Sequence, residues 1–495
     1  MKRSHRSYLA FDLGASSGRA MLGTLQHDRL TLREISRFPN GPVSLGGSLY
    51  WDVLALWSNM LGALRACAGR GDRLSGIGVD TWGVDFGLIG RDGQLLANPV
   101  CYRDAHTEGI ERVMARGFSR RAFYAMCGMD FGRVSTLAHL LAMKRGAGRD
   151  LLESASCLLL TPDLLRYFLC GERAAELTIA GSSLLTDIHR RAWSRRIIDA
   201  YGLPPRLFLP LARAGRFAGA LRPEVAADTG AGPVPVAIVA GHDTTSAAAA
   251  APLAGDGTVF LSSGTWSTIG LALPDPIATE AARVRGFVNE IGFDTVLFLK
   301  NLSGLYLAEN LKRQWAKRGR AVSYADMIQA ASKATPFKFV VDMNAPLFFS
   351  TDDVQTAVQS FLRATGQRGT PTAGELVRTL LESLAFSYRL AVSDAAEITG
   401  RALDEICLVG GGVRNELLSQ WTADATGLRV SAGPVEATVA GNVGIQAMAA
   451  GEIKDLRALK RLVAESFPAR RFAPRNTEAW AAHFERYQEV RKHKQ

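Results

Sequence analysis

The sequence predicts an α/β protein built from two lobes, and three observations support this fold class. The chain has 495 residues, which is too long for one hydrophobic core and favours two large lobes. Strand-like and helix-like segments alternate along it, as is typical of layered α/β structures. A similar strand–turn–strand unit occurs near the start and near the midpoint, which suggests a duplicated domain whose halves each begin with a β-hairpin.

The first hairpin is predicted at the start of the chain. Residues 7–11 (SYLAF) form a short apolar run that favours a strand. This run leads to Asp12 and to a segment rich in glycine and serine at 13–19 (LGASSGR). An extended apolar pattern resumes over residues 20–25, so the intervening segment is expected to be a hairpin turn.

The second hairpin has the same order of features. A strand is predicted at 258–261, a turn of serine and glycine at 262–265, and a second strand at 266–271. The likeness between the two units is short and is weak support by itself. It gains weight from the chain length and from the alternation of strands and helices.

The boundary between the lobes is expected near residue 250. Residues 234–240 (VPVAIVA) form a buried-strand pattern, and the alanine-rich segment 244–251 favours a helix. A proline and a glycine shortly afterwards end that pattern. The predicted N-terminal lobe is therefore residues 1–248, and the predicted C-terminal lobe is residues 249–495.

In the second half, four further elements are predicted. Residues 375–395 have a long helical spacing of apolar positions. Residues 406–409 (ICLV) favour a strand, 410–412 (GGG) a tight turn, and 415–425 a helix.

Composition excludes several classes of protein. Hydrophobic residues make up 47% and charged residues 21% of the chain, as in ordinary soluble globular proteins. No apolar run reaches the roughly 18–20 residues that span a bilayer, so no membrane partner is expected. The basic first residues resemble the start of a signal peptide, but the apolar stretch that follows is interrupted at Asp12. A cytoplasmic location is therefore expected.

The net charge of +11 raises the question of nucleic-acid binding. Residues 1–7 and 451–495 together supply 8 of the 11 excess positive charges. Basic termini are usually solvated arms, whereas a nucleic-acid surface would be a patch within the fold. No nucleic-acid partner is expected.

Cysteine spacing does not indicate a metal or redox site. No CxxC motif is present, so neither zinc nor a redox dithiol is predicted. Buried free thiols in a reducing compartment are expected instead. The six cysteines are Cys67, Cys101, Cys127, Cys157, Cys170 and Cys407.

The first turn is a candidate phosphate loop. Phosphate binding needs backbone N–H groups that converge on one concavity, which requires small residues. Residues 14–18 (GASSG) meet that need, with Ser16 and Ser17 as further donors and Arg19 as a nearby cation. Asp12 could hold Mg²⁺ through water. On the loop alone, a plain hairpin turn is the simpler interpretation.

A second glycine-rich turn could also approach a ligand. The chain has no GxxxxGK[ST] motif, so a Walker-type phosphate loop is excluded. Residues 410–412 lie between a predicted strand and helix, but they lack the spacing of a dinucleotide-binding motif. A structural left-handed turn remains the alternative.

Asp243 is the candidate base. It follows a buried strand and precedes a helix, at the edge of an open α/β sheet where ligands usually bind. A carboxylate there can accept the proton of a hydroxyl group that attacks phosphorus. The sequence leaves open the alternative that Asp243 is a helix N-cap, because Thr-Thr-Ser follows it.

Taken together and in order, these segments resemble the FGGY family of carbohydrate kinases over nearly the whole chain, from Ala10 to about Ala447. Each segment alone is weak, but their order over 400-odd residues is specific. The segments are DLGASSGR at 12–19, WDV at 51–53, GVDTWGVDF at 78–86, YRD at 102–104, PD at 162–163, HDT at 242–244, LSSGTWS at 261–267, KN at 300–301, VGGG at 409–412, AGPVEAT at 432–438 and GN at 441–442.

The resemblance implies two RNase H-like lobes of the actin type, with ATP and sugar in the cleft between them. It implies that the N-terminal lobe, residues 1–248, holds the sugar, the first phosphate loop and the catalytic aspartate, and that the C-terminal lobe, residues 249–495, binds the nucleotide. It also implies the roles of individual residues, with Asp243 as the proton acceptor. The expected ATP contacts are Ala15, Ser16, Ser17, Gly18, Arg19, Thr265, Glu309 and Gly411. The expected sugar contacts are Gly83, His242, Asp243, Thr244 and Asn301. At Glu309 the chain departs from the related kinases, which tend to have a nucleotide-contacting glutamine there.

Within the family, the segment 79–86 is similar to that of members that phosphorylate L-rhamnulose, rather than xylulose or glycerol. The expected reaction is therefore transfer of the γ-phosphoryl group of Mg²⁺–ATP to the carbon-1 hydroxyl of this ketose. Another ketose or polyol, such as fuculose, xylulose or a signalling furanone, is the first alternative. An actin-like ATPase without a sugar substrate is the second.

Overall fold

The computed structural model describes residues 6–253, 255–348, 351 and 353–492. The strands are β1 (Arg6–Leu13), β2 (Ser17–Gln26), β3 (Arg29–Pro39), β4 (Pro42–Leu45), β5 (Ser48–Trp51), β6 (Leu74–Thr81), β7 (Phe86–Gly90), β8 (Ala155–Leu160), β9 (Ala175–Glu176), β10 (Thr186–Asp187), β11 (Ala192–Trp193), β12 (Leu211–Ala212), β13 (Arg216–Ala220), β14 (Pro235–Ile238), β15 (Thr258–Ser263), β16 (Trp266–Leu273), β17 (Phe287–Ile291), β18 (Val296–Ser303), β19 (Glu405–Val409), β20 (Arg429–Ala432) and β21 (Arg470–Phe472).

The α-helices of the same residues are α1 (Val53–Gly69), α2 (Glu111–Gly117), α3 (Arg120–Cys127), α4 (Thr136–Arg145), α5 (Arg149–Ser154), α6 (Thr161–Cys170), α7 (Leu177–Gly181), α8 (Arg195–Ala200), α9 (Pro223–Thr229), α10 (Asp243–Ala250), α11 (Glu280–Val284), α12 (Tyr306–Lys317), α13 (Tyr324–Lys333), α14 (Val354–Ala364), α15 (Ala373–Thr399), α16 (Glu416–Thr426), α17 (Ala437–Ala449), α18 (Leu456–Ser466) and α19 (Thr477–Lys492).

The chain divides into two compact units. The first contains the residues up to Pro252 together with Ala272–Phe298 and Ala437–Ser466. The second contains Leu253–Leu271, Leu299–Glu436 and the residues from Phe467 onward. The boundary expected from the sequence between residues 248 and 249 stays a prediction.

The first unit is built on a six-stranded sheet of order β13-β14-β6-β1-β2-β3. β1 is antiparallel to β2 and parallel to β6, and β6 is parallel to β14. On one face, Leu9, Phe11 and Leu13 belong to the hydrophobic core that includes Leu56 and Met60 of α1. Alternate residues of β1 thus pack against the helix, as the two-residue repeat of a strand requires.

The other face of this sheet is covered by α17, and glycines make that approach possible. A Cβ atom at Gly78 would lie 2.4 Å from the Asn442 side chain, and one at Gly23 would lie 2.6 Å from Val443. Both distances are too short for real atoms, so any larger residue would push α17 away. This packing brings the C-terminal segment of the first unit to the carboxyl ends of β1 and β6.

The second unit contains the strand order β18-β16-β15-β19-β20-β21. β15 is antiparallel to β16 and parallel to β19, which is in turn parallel to β20. The long helix α15 begins with a capping box in which Thr372 and Glu375 bond each other's backbone N–H groups. It packs against α13 and α16.

The two sheets confirm the predicted α/β class and the predicted pair of hairpins. In each unit a hairpin, β1–β2 or β15–β16, is followed by a strand parallel to its first arm. The strand predicted at 406–409 is β19, and the helix predicted at 375–395 lies within α15.

Two further expectations concern the chain as a whole. Five of the six cysteines are buried free thiols, as predicted, whereas Cys170 is only partly buried. Cys170 is the last residue of α6. Among the residues described, no helix combines the length and the apolar character that crossing a bilayer demands.

Candidate functional site

The predicted phosphate loop is the turn of the β1–β2 hairpin. Gly14 N donates to Ser17 O at 3.0 Å, and Asn40 Nδ2 donates to Gly14 O at 2.8 Å. Ser16 at the tip is exposed, Ala15 and Ser17 are half-buried, and Gly18 is buried. Backbone hydrogen bonds and Asn40 therefore stabilise the turn. The structure confirms a hairpin turn, and phosphate binding stays a prediction.

At the base of this turn, Asp12 and Arg19 face each other across the hairpin and form an ion pair. Asp12 is 7% exposed. On its other side Asp12 is in register with Asp80 of the parallel strand β6. Two carboxylates and one guanidinium thus lie side by side at the carboxyl ends of β1 and β6.

Asp80 is fully buried and is held from α17. Asn442 Nδ2 donates to Asp80 Oδ2 at 2.5 Å, and Gln446 Nε2 donates both to Asn442 Oδ1 at 2.7 Å and to the carbonyl of Leu9 at 3.1 Å. Burial, and then the negative charge of Asp12, raise the pKa of Asp80 well above its usual value. Asp243 raises it further, which places that carboxylate within electrostatic range of the same cluster.

Gly83 lies where three segments of the first unit meet. A Cβ atom at this position would be 2.9 Å from Ser182 Oγ and 3.4 Å from His242 Nε2. His242 is joined to β6 through a parallel bridge with Thr81. The predicted sugar contacts Gly83, His242, Asp243 and Thr244 are therefore brought together in the first unit.

Asp243 is the first residue of α10, and it is not the N-cap that the sequence left open. His242 occupies the N-cap position, and no side chain caps this helix. Asp243 Oδ1 instead accepts from Thr244 N at 2.5 Å and from Thr244 Oγ1 at 3.1 Å. About a third of its side chain is exposed, so the carboxylate can reach a ligand.

His242 is held between two carboxylates. Its Nδ1 lies 3.1 Å from Glu290 Oε2, and its Nε2 lies 3.6 Å from Asp243 Oδ1. Burial by itself lowers the pKa of His242, but Glu290, and after it Asp243 and Glu176, raise it by more, to about 9. The imidazole is therefore a cation at neutral pH, next to the candidate base.

Asp85 ends the segment that begins at Asp80. Its Oδ2 accepts from the indole N–H of Trp51 at 2.6 Å and of Trp82 at 2.7 Å. Burial raises the pKa of Asp85 to about 7, against the opposing effect of these two donors. The carboxylate fixes both indoles, whose ring centroids lie 4.2 Å apart, and Trp82 directly precedes Gly83 in the chain.

In the second unit, the tip of the β15–β16 hairpin carries Thr265, which is exposed. Gly264 N donates to Trp266 O at 3.0 Å, and Leu305 N donates to Gly264 O at 2.8 Å. A Cβ atom at Gly304 would lie 2.5 Å from Gly264 O. The segment between β18 and α12 can therefore approach the hairpin tip only because residue 304 is glycine.

The three glycines after β19 serve different purposes. Gly410 has φ +85°, in the region that favours glycine. A Cβ atom at Gly412 would lie 2.3 Å from Ser263 Oγ, whereas one at Gly411 would meet no atom within 4 Å. A structural role thus explains two of these glycines: Gly410 adopts a left-handed conformation, and Gly412 packs closely against Ser263. Gly411 is exposed and borders open space.

Glu309 lies in the first turn of α12 and is exposed. Burial raises the pKa of Tyr324, and the negative charge of Glu309 adds to this effect, so the two side chains are close. Tyr324 OH accepts from Asn415 Nδ2 at 3.1 Å, and Asn415 follows the turn that contains Gly411. Glu309, Tyr324 and Asn415 are therefore neighbours in the second unit, with Glu309 exposed, Tyr324 half-buried and Asn415 buried.

Asn301, predicted to contact the sugar, is an exposed residue of β18 in the second unit. Its Oδ1 accepts from Thr268 Oγ1 at 2.9 Å, which fixes the side chain on the strand. Its contact with a sugar stays a prediction.

The residues of the first unit fit the expected way of holding Mg²⁺. Within the described ranges, no group of three or more His, Cys, Asp or Glu side chains is arranged as a ready-made metal cage. Mg²⁺ is usually held by one or two carboxylates together with waters and phosphate oxygens. Asp12, with Asp80 beside it, provides such a carboxylate at the phosphate-loop candidate.

Sequence reasoning missed three residues of this cluster. Glu290, which faces His242, lies on β17, about 50 residues further along the chain, and only its acidic character within an apolar strand could have indicated it. Asn442 was part of the family resemblance without a role. Ser182, beside Gly83, carries no signal in the sequence.

Comparison with known families gives two matches. The model of the N-terminal domain of the FGGY family of carbohydrate kinases matches residues 7–250. The model of the C-terminal domain of the same family matches residues 259–450. Together they cover most of the chain.

Individual proteins are similar over nearly the full length. The chain is 38% identical over 478 residues to the rhamnulokinase of Bacteroides thetaiotaomicron, covering 96% of this chain and 98% of that protein. It is 35% identical over 471 residues to the rhamnulokinase of Halalkalibacterium halodurans, covering 95% and 99% respectively. The solved structure of Plasmodium falciparum glycerol kinase with ADP is similar with a TM-score of 0.79 and 14% identity, covering 99% of this chain and 97% of that one. This likeness confirms the predicted actin-like fold class.

Proposed function

The chain belongs to the FGGY family of carbohydrate kinases, and from this premise we propose that it transfers the γ-phosphoryl group of ATP to the carbon-1 hydroxyl of L-rhamnulose. The products are L-rhamnulose 1-phosphate and ADP. The assignment of L-rhamnulose as the substrate rests on the 38% identity to a rhamnulokinase over 96% of the chain. The cluster of Gly83, His242 and Asp243 supports a polar sugar site in the first unit.

In the proposed mechanism, the first unit binds the sugar and accepts its proton. Asp243 takes the proton of the carbon-1 hydroxyl as the new O–P bond forms, and the bond between the γ-phosphorus and the β–γ bridging oxygen breaks to release ADP. The hydrogen bonds from Thr244 hold the Asp243 carboxylate in place. His242 and the backbone at Gly83 orient the sugar, and Asn301 is a further proposed sugar contact.

The phosphates and the nucleotide have separate proposed sites. The turn from Ala15 to Gly18 would donate N–H and hydroxyl groups to the phosphates, and Arg19 would add a positive charge. Thr265, Gly411 and Glu309 would contact the nucleotide on the second unit. The proposed lobes are residues 1–248 and 249–495.

Asp12 is the proposed residue that holds Mg²⁺, through water. The ion would neutralise charge on the transferring phosphate oxygens when it is bound. The ion pair with Arg19 fixes the Asp12 carboxylate at the base of the proposed phosphate loop. The expectation of a cytoplasmic location stays a prediction.

A panel of ketoses and polyols, tested with Mg²⁺–ATP, checks the substrate. L-Rhamnulose is expected to give the highest kcat/KM. A higher value for xylulose, fuculose or glycerol would contradict the substrate and leave the kinase class intact. ATP turnover that does not depend on any sugar would instead support the alternative of an actin-like ATPase.

Gly411→Val is expected to raise KM for ATP by about tenfold or more, because a branched side chain fills space that the nucleotide needs. The sugar KM and the melting temperature should change little, since a side chain here meets no neighbouring atom and φ is not positive. Gly412→Val is the matched control. It should lower the melting temperature because its side chain clashes with Ser263. A Gly411→Val protein with unchanged ATP affinity would show that this glycine is structural.

Glu309→Ala tests how the nucleotide ribose is held. A carboxylate accepts hydrogen bonds but cannot donate them, so it suits the ribose hydroxyls and would repel phosphate oxygens. If Glu309 bonds the 2′-hydroxyl, the enzyme should prefer ATP over 2′-deoxy-ATP by roughly tenfold to a hundredfold in KM. The alanine variant should lose most of this preference. An unchanged ratio in the variant would leave Glu309 as an ordinary surface residue.

A further inference from the structure

Val84 has a backbone conformation that its side chain disfavours. Its φ is +74°, and it is the only β-branched residue among the seven non-glycine residues with positive φ in the part of the chain that the structure describes. In this left-handed region a branched side chain crowds the backbone, so such a residue is a true outlier. Strain of this kind persists only where the surrounding structure fixes it, and it is frequent at ligand sites.

The surroundings of Val84 provide that fixation. Val84 N donates to Ser182 Oγ at 3.2 Å, and Thr136 Oγ1 donates to Val84 O at 2.6 Å. Thr136 is the first residue of α4, Ser182 directly follows the last residue of α7, and both are buried. Ser182 Oγ also donates to Ile179 O at 2.8 Å. Both backbone polar groups of the strained residue are therefore held by hydroxyl groups of buried side chains, and that of Ser182 is fixed by a second hydrogen bond.

The same contacts extend to the proposed sugar site. Ser182 Oγ accepts from the N–H of Val84, and it is also the atom nearest to the position that a Cβ at Gly83 would take, at 2.9 Å. His242 Nε2 lies 3.4 Å from the same position. On the other side, Asp85 is fixed by its two indole donors. A relaxed Val84 would rotate the peptide between Gly83 and Val84, and so change the surface that Gly83 presents beside His242.

We propose that Val84, held by Ser182 and Thr136, is a positioning residue that keeps the backbone of Gly83 in the orientation that binds the sugar. This inference rests on the proposed function of the Gly83–His242 cluster. The hydroxyl groups of Ser182 and Thr136 then affect the affinity for the sugar by fixing the backbone at Val84, and they need not contact the sugar themselves. A strain that served only the fold would have no effect on sugar affinity.

The test is a double-mutant cycle of Ser182→Ala and Val84→Gly in the full chain. Ser182→Ala removes the hydroxyl that fixes the strain, so KM for L-rhamnulose should rise about tenfold, with the ATP KM unchanged. Glycine adopts positive φ without a steric penalty. In the Val84→Gly background, Ser182→Ala should therefore raise the sugar KM by less than about threefold.

A second test uses Thr136→Val, a substitution that keeps the shape of the side chain and removes only the hydroxyl group. It should also raise the sugar KM, and Val84→Gly should also reduce its effect. Ser183→Ala is the matched control, because the hydroxyl of this neighbouring serine donates to Ala180 O and accepts from Leu185 N. Equal rises in KM in the valine and glycine backgrounds would overturn the inference, as would changes in melting temperature alone. Turnover of L-rhamnulose by the unmodified protein tests the proposed function separately.

Discussion

Asp243→Asn is expected to lower kcat by about 10²–10⁴-fold, the usual effect of removing a general base. Asparagine cannot accept the proton of the sugar hydroxyl, but its side-chain oxygen can still accept the hydrogen bonds from Thr244. The variant should therefore fold normally and bind L-rhamnulose and ATP with nearly unchanged affinity. Steady-state kinetics, a binding titration and a melting curve on the same preparation measure the three quantities.

Glu224→Gln is a matched control for this experiment. Glu224 also lies in the first turn of a helix of the first unit, α9, and it is largely exposed. The substitution makes the same change of charge within the first turn of a helix, so it corrects for an effect of the helix dipole. A fall in kcat of less than tenfold for Asp243→Asn, or a loss of folding, would show that Asp243 has a mainly structural role.

Much of the local structure could be predicted because local patterns determine it. Both hairpins were evident because each has an apolar strand, a turn of serine and glycine, and a second apolar strand. The helix at α10 was evident because of its alanines. The N-cap could not be assigned, because His242 and Asp243 both stand between a strand and a helix, and only the backbone dihedrals decide which residue begins the helix.

The parts of the site that could not be predicted depend on contacts between distant segments. Asp80 is buried because α17 covers its strand, and the amide that satisfies it, Asn442, comes from more than 300 residues further along the chain. Glu290 acquires its role only because β17 lies beside the start of α10. The strain at Val84 is invisible in a sequence, since no residue pattern specifies a positive φ for valine.

The raised pKa of His242 determines how the stability of the folded protein depends on pH. Because Glu290 and Asp243 raise its pKa to about 9, above the ordinary value near 6.5, the folded protein holds a proton that the unfolded chain releases more easily. The resulting stabilisation is fully present below about pH 6.5 and is lost as the pH rises through 9. If the imidazolium donates a hydrogen bond to the sugar, kcat/KM for the sugar should fall over the alkaline part of the same range.

Glu290→Gln is therefore expected to move the alkaline fall of kcat/KM to a pH more than one unit lower. The variant keeps the shape of the side chain but removes the negative charge that lies 3.1 Å from His242 Nδ1, so burial can again lower the pKa. A shift of about two units would lower the protonated fraction of His242 at pH 8 by roughly tenfold. The sugar kcat/KM should therefore drop by the same factor at pH 8 and recover at pH 6. Glu280→Gln, which removes an exposed charge on the same segment of the first unit, should leave the profile unchanged. A pH profile of Glu290→Gln that coincides with that of the unmodified protein would show that His242 is not required as a cation.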